Sequence, residues 1–290
     1  MMRKRTNGQR AFAVFNTLFM SLFAIICLYP MLHVICGSFS EPHLLASNDG
    51  LLLKPAGFSL EAYEAIFSNN VIVNGYANTL FVLIVGTSIN MILTIVAAYV
   101  LSSKDVFWKF PIMMMIVITM YFQGGMIPDY LNIRRLGLYN SIWSVILPVA
   151  VNSFNLIIMR TGFESIPNSL LESADLDGAN DFHKLLNIVV PLAKPTIAVI
   201  ILYYGVAHWN SWFTASIYIS DKGKMPLQVI LREILILNST DSMSRSDSSY
   251  NIGETIKYST IVVSTLPILC IYPFLQKYFA NGVMVGAVKG

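Results

Sequence analysis

Residues 77–101 read ANTLFVLIVGTSINMILTIVAAYVL, twenty-five residues without an Asp, Glu, Lys, Arg or His. At about 1.5 Å rise per residue such a helix outreaches the roughly 30 Å hydrocarbon layer of a bilayer. Five further apolar windows lie at 12–36, 110–128, 141–159, 196–219 and 256–276, with 110–128 and 141–159 the shortest. With 55% hydrophobic and 12% charged residues, the 290-residue chain falls well below the roughly 25% charge of soluble domains. The expectation is an all-α integral membrane protein with about six transmembrane helices.

The window at 12–36 is too long for the apolar core of a signal peptide and reads as a retained anchor. Arg3, Lys4, Arg5 and Arg10 precede it, and basic clusters stay on the cytoplasmic side. Both termini are therefore expected inside. Of the Lys and Arg residues, 11 then lie inside and 8 outside, a bias that rests on the N-terminal cluster. A net charge of +3, dispersed along the chain, gives no concentrated basic face for phosphates, so nucleic acid is excluded as a partner.

Between the windows, 37–75 reads as an outer segment with one short helix from Ser59, its N-cap, to Phe67. The segment 220–255 carries Leu227, Ile230, Leu231, Ile234 and Leu235 on one helical face, an interfacial helix, followed by a mobile Ser-rich loop from Ser239 to Ser249. Cys27, Cys36 and Cys270 fall in apolar windows and read as small buried hydrophobes.

No Asp or Glu lies in any window, and the ionisable interior residues are His33, His208 and Lys257. Ion-coupled carriers need a group at depth to take up the ion, which argues against secondary transport. The chain has no G-x-x-x-x-G-K-[ST], H-E-x-x-H, C-x-x-C or G-x-S-x-G pattern, so it is not read as an enzyme. His33 and His208 are not read as a metal site. If transport is ATP-driven, another chain hydrolyses the ATP.

A polar interruption at 160–195 separates the fourth and fifth windows. Ser165 can cap a helix with Pro167 near its first turn, running through Leu170, Leu171, Glu172 and Ala174 until Gly178 stops it. Asn180 can cap a second helix through Phe182, Leu185 and Leu186, ended by Pro191. Two short helices about a Gly elbow make a docking knob, or else an amphipathic loop lying on the bilayer.

The string Glu172-Ser173-Ala174-Asp175-Leu176-Asp177-Gly178-Ala179, followed by Ile188 and Val190-Pro191-Leu192, resembles the EAA loop of type I ABC importer permeases. Ser173 stands where the name-giving motif has Ala. Met120 to Pro128, Leu136 to Ser141, Trp209-Asn210-Ser211-Trp212-Phe213, Pro226-Leu227-Gln228 and the tail Asn281 to Gly290 resemble the carbohydrate, maltose-permease-like branch.

The resemblance implies the type I ABC importer transmembrane fold, with the first loop helix as the coupling helix on an ATPase. It implies Glu172 and Asp175 as polar contacts, Leu171 and Ala174 as apolar docking surface and Gly178 as the elbow, with Asp177 also among the ATPase-coupling residues. Its domains would be 1–75, a tail, first helix and outer segment; 76–277, the transmembrane domain with coupling loop 160–195; and 278–290, a cytoplasmic tail. The implied partners are a second homologous permease, two copies of an ABC ATPase, an extracytoplasmic sugar-binding protein and the lipid bilayer. No cofactor is expected on this chain, with ATP and Mg on the ATPase.

A sugar path needs aromatic faces and neutral hydrogen-bonding groups. Tyr204, His208, Ser211 and Trp212 lie at one-face spacing in the fifth window, Asn152 and Asn155 in the fourth, and Tyr121 and Gln123 in the third. Packing between helices is the competing reading for each. A permease for a non-sugar solute, or a non-transporting membrane scaffold, stays open beside the sugar importer.

Overall fold

The computed structural model describes residues 6–48, 50–241 and 253–270, and among these every regular element is helical. They fall into two compact units, Met1–Asn69 with Leu231–Leu266, and Asn70–Ile230 with Pro267–Gly290.

In the first unit, α1 (Asn7–Ser38) opens with a capping box in which Thr6 and Gln9 exchange hydrogen bonds. Phe12, Val14, Phe15, Leu18 and Met20 are all exposed, an apolar circumference suited to lipid. The end of α1 is instead packed. Gly37 lies flat against the Tyr258 ring, where an added Cβ would sit 2.6 Å from Cδ2. Tyr258 belongs to a helix over 253–270. Ser259 donates to the Ser38 carbonyl at 3.1 Å, and the Tyr63 hydroxyl donates to Ser38 Oγ at 2.8 Å.

Two short helices follow, α2 (Pro42–Ala46) and α3 (Glu61–Phe67). Helix α3 starts two residues later than expected, because Ser59 Oγ accepts the Glu61 amide in a turn and does not act as N-cap.

In the second unit, α4 (Asn70–Ser102) crosses as one helix with a π-helical stretch at Val82–Gly86. The third window is broken. Helix α5 (Lys109–Tyr121) and α6 (Met126–Arg135) meet at 116°. Gly125, at φ 90, supplies a backbone turn that hydropathy does not register. The fourth window is α7 (Trp143–Val149) and α8 (Ser153–Glu164), bent by 49°.

Next come α9 (Asn168–Leu176) and α10 (Asp181–Leu192), the latter bent by 85° from α11 (Lys194–Trp209). Pro191 does not end α10 as expected. A π-helical stretch at Leu185–Val189 precedes it, and the bend falls at Ala193. The fifth window breaks again at Asn210-Ser211 before α12 (Trp212–Tyr218).

Helix α13 (Leu227–Asp241) extends past Ser239, so the expected loop does not begin there, and residues 242–252 lie outside those described. Two unbroken helices and three bent pairs give up to five spans. The sixth window is helical over 253–270 and then leaves the described residues, as do the tail and its Gly282 and Gly286.

The core of the second unit forms where α4, α8 and α11 meet, and includes Met91, Ala98, Leu101, Leu156, Met159, Phe163, Ile200 and Tyr204. Because lipid tails are as apolar as these side chains, the three helices are held together here by close packing and interhelical hydrogen bonds and not by transfer out of water.

Candidate functional site: a helical knob, an ionic clasp and a buried polar chain

The knob is built around Gly178. Its φ of +77 is left-handed, and the turn is closed by Gly178 N donating to Asp175 O at 3.0 Å and Ala179 N to Ala174 O at 2.9 Å. This pair is the Schellman arrangement, which satisfies the last carbonyls of α9. Asn180 Oδ1 then accepts the His183 amide at 2.8 Å and starts α10. Both the elbow and the second cap therefore stand where the sequence put them. Ser165 does not cap α9. It ends α8, donating to the Gly162 carbonyl, while Pro167 occupies the cap position without a side-chain bond.

The faces of α9 differ from expectation. Ala174 is buried and Leu171 is half-buried against the core, so neither is freely exposed as docking surface. The outward apolar residues are Leu170, 44% exposed, and Leu176, 91% exposed. In a nine-residue helix, neighbours 170 and 171 point about 100° apart, and the core takes one of them. Glu172 and Asp177 are exposed, and Glu172 has no partner among the described residues. Asp175 is engaged, its Oδ1 lying 2.7 Å from Lys184 Nζ.

Lys184 also meets Asp181 Oδ1 at 2.8 Å, and the Tyr99 hydroxyl donates to that same oxygen at 3.3 Å. The hydrogen bonds it donates to Asp175 and Asp181 hold the Lys184 ammonium above its usual range. Lys184 in turn holds the Asp181 carboxyl below the ordinary carboxylate value.

An ionic clasp lies beside the knob. Arg160 Nε donates to Leu101 O at 3.1 Å, and Lys109 Nζ to the carbonyls of Ser102 and Ser103 at 3.4 and 3.3 Å. Cations at the C-terminus of α4 complement its dipole and unpaired carbonyls. Glu164 Oε1 holds both, 2.6 Å from Arg160 and 3.0 Å from Lys109. Burial pushes the Glu164 carboxyl up, but the Lys109 and Arg160 hydrogen bonds outweigh it and hold it below its ordinary value.

Inside the span region a polar chain closes on itself. His208 Nε2 and Asn90 Oδ1 are 2.6 Å apart, and Asn90 Nδ2 donates to the carbonyls of Val149 and Ala150 at 2.6 and 2.9 Å. Those carbonyls are freed by the break between α7 and α8. Beyond it, Asn152 N donates to the Tyr204 hydroxyl at 3.0 Å, which also bonds Thr94 Oγ1 at 2.8 Å. Asn152 Oδ1 caps α8 at the Asn155 amide, and Asn155 is buried.

Tyr204 and His208, expected to line a sugar path, are thus occupied in holding a broken helix. Ser211 and Trp212 do not continue their face, because the chain breaks at Asn210-Ser211 and Ser211 donates back to His208 O. Tyr121 is 78% exposed at the end of α5, and Gln123 is exposed in the turn after it.

The opposite end of α4 carries a second clamp. Asn140, at φ 56, donates its amide to Tyr218 O, and its Oδ1 accepts the amides of Ser220 and Asp221. Asn78 Nδ2 donates to the carbonyls of Gly223 and Met225, and Thr79 Oγ1 accepts the Leu227 amide at 2.8 Å. Arg134 stands 5.9 Å from the ring centres of both Tyr130 and Tyr139.

Sequence reasoning missed Gly86, Asn90, Thr94, Lys109, Arg160, Glu164 and Lys184. Asn90 and Thr94 were legible only as polar residues inside an apolar run.

Residues 99–285 match the family described as binding-protein-dependent transport system inner membrane component. The chain is 44% identical, over 94% of its length and 96% of the other, to the polygalacturonan/rhamnogalacturonan transport system permease protein YtcP of Bacillus subtilis (strain 168). It is 39% identical to protein LplC of the same organism, over 98% and 97% of the two chains. Among solved structures, a bacterial ABC transporter involved in the import of the acidic polysaccharide alginate has a similar chain. That chain gives a TM-score of 0.88 at 31% identity, covering 96% of this protein and 100% of the other.

Proposed function

The chain belongs to the family of binding-protein-dependent transport system inner membrane components, and from that membership we propose its place in a working importer. It is one permease subunit of an ATP-driven, type I ABC importer that carries an oligosaccharide across a bacterial cytoplasmic membrane. Both termini face the cytoplasm. It pairs with a second, homologous permease and two copies of an ABC ATPase, and receives sugar from an extracytoplasmic binding protein. ATP and Mg are held by the ATPase and not by this chain.

The observation that carries the reading is the helix pair α9 and α10 about Gly178, set beside the end of α4. Helix α9 is the coupling helix in this reading. Leu170, Leu176 and Glu172 meet the ATPase, while Leu171 and Ala174 fasten the helix to the core. Closure of the ATPase pair on ATP displaces α9 and, through it, the packed helices α4, α8 and α11. Tyr121, Gln123, Ser211 and Trp212 remain the candidates to touch sugar, whereas Tyr204, His208, Asn152 and Asn155 hold the spans in register. Two similar proteins bear names referring to acidic polysaccharides, which makes oligouronides the substrates to try first.

The test is reconstitution of this chain with its partner permease, ATPase and binding protein in proteoliposomes. ATP-dependent uptake of a labelled oligogalacturonide is expected. Assembly without ATP-dependent uptake of any oligosaccharide would overturn the sugar importer, and failure to recover an ATPase would favour the scaffold.

A further inference from the structure

Lys184 occupies an unusual position for a charged side chain. Only 14% of it is exposed, while the carboxylates that meet it, Asp175 and Asp181, are 56% and 79% exposed. The lysine side chain is therefore the most covered member of the group, and its ammonium meets both carboxylates. Its two bonds run to different elements. Asp175 is on α9, one turn after Leu171, and Asp181 opens α10. Asp181 in turn receives the hydroxyl of Tyr99 from the last turn of α4. A continuous path of 2.7, 2.8 and 3.3 Å contacts thus links α9 to α4 through Lys184.

Gly178 makes a second tie worthwhile. A left-handed turn flanked by open space, where an added Cβ would meet nothing within 4 Å, fixes the direction of the chain but packs against nothing. The inner face of α9 offers the buried Ala174 and the half-buried Leu171, a small apolar contact that permits sliding. A directional ion bridge resists sliding, because its energy falls steeply once hydrogen-bond geometry is lost.

We propose that Lys184 is a positioning residue for energy coupling: its ammonium ties α9 to α10 and, through Asp181 and Tyr99, to α4, so that a push on α9 moves the span. This rests on the reading of α9 as the coupling helix. Removing Lys184 leaves Asp175 and Asp181 facing one another without a cation, so α9 is both released and repelled.

The experiment compares sugars imported per ATP hydrolysed in proteoliposomes holding the complete importer. Lys184→Met and Asp175→Asn are expected to lower that ratio about tenfold, within the range of ordinary coupling free energies, while the ATPase still co-purifies. Lys184→Arg keeps the ratio near wild type, and the exchange Asp175→Lys with Lys184→Asp recovers most of what either single change loses. A lysine that only stabilised the fold would lower the yield or thermal stability of the complex and leave this ratio, read on assembled importer, unchanged.

A wild-type ratio in Lys184→Met, or an exchanged pair no better than the singles, overturns the proposal. If Lys184→Met fails to reach the membrane, Asp175→Asn decides it, since an exposed, isosteric change leaves the fold intact. An unmodified importer without ATP-dependent sugar uptake refutes the function itself and is recognised before any variant is made.

Discussion

Gly86 faces the imidazole of His208 so closely that a Cβ at position 86 would lie 2.8 Å from Nε2. The absent side chain is what allows a histidine to enter the packed region between α4 and α11 and reach Asn90. Asn90 in turn satisfies two carbonyls released by the bend between α7 and α8. One missing methyl group on α4 therefore supports a break in a different span.

Replacing Gly86 with Ala should displace His208 and cost about 1–3 kcal/mol, the usual range for overpacking. Thermal unfolding of the detergent-solubilised chain measures it. Adding His208→Ala to Gly86→Ala should recover part of the loss by emptying the space. A Gly86→Ala variant as stable as the parent would mean that the imidazole moves aside without cost.

At Gly178 the cost is conformational alone, since nothing stands near an added Cβ. Gly178→Val forces a β-branched residue to φ +77, at about 1–2 kcal/mol for an L residue, whereas Asn tolerates this region. Uptake should fall strongly in Gly178→Val and little in Gly178→Asn, with membrane insertion normal in both. Equal uptake in the two would remove the left-handed turn from the account.

Leu176 is the most exposed large apolar residue of α9 and, in the proposed function, meets the ATPase. Leu176→Asp should reduce ATPase co-purification more than Glu172→Lys does, because an exposed charge at a rim contributes only about 0–1 kcal/mol. The opposite ranking would place the docking surface on the acidic side of the helix.

The clasp on Glu164 gives a pH dependence with a definite sign. Its carboxyl is held below the ordinary value, so the stabilisation is present above that value and is lost as pH falls through the lowered one. At pH 7, Glu164→Gln should lower stability by about 1 kcal/mol, discounted because the carboxylate is partly exposed. The difference between variant and parent should persist at pH 5 and shrink as acidification protonates Glu164. A difference that is the same at pH 7 and at pH 3 would show that the side chain acts by packing and not by charge.

What could be read in advance divides by distance along the chain. Gly178 and Asn180 were legible because a left-handed stop and a cap act on amides within a few residues. The bond between His208 and Asn90 joins positions 118 apart, and no local pattern pairs them before the spans are packed. The bends at Gly125 and Asn210-Ser211 escaped for another reason: an apolar window reports composition, and a bent pair has the same composition as a straight helix. Leu170 and Leu171 are adjacent and chemically alike, so only the core decides which faces in. The family resemblance located the knob, and the packing then reassigned its faces.

The assignment of α9 to the cytoplasm depends on which side of the membrane each end of α4 occupies. Tyr99 touches Asp181 of the knob, and Thr79 touches Leu227 at the other end. Twenty residues of helix separate Thr79 from Tyr99, about 30 Å at 1.5 Å per residue, which matches the hydrocarbon thickness of a bilayer. The knob and the clamp around Asn140 should therefore lie on opposite faces. In a chain whose Cys27, Cys36 and Cys270 are replaced by Ser, Ser173→Cys should react with a membrane-impermeant thiol reagent only from the cytoplasmic side. Ser220→Cys, exposed beside the Asn140 clamp, should react only from outside. Ser173→Cys should also be shielded while the ATPase is bound and react faster once it is stripped away. Labelling of both positions from one side would mean that α4 does not cross the membrane. An exchange of the two sides would turn α9 away from any ATPase, and the importer reading would fall with it.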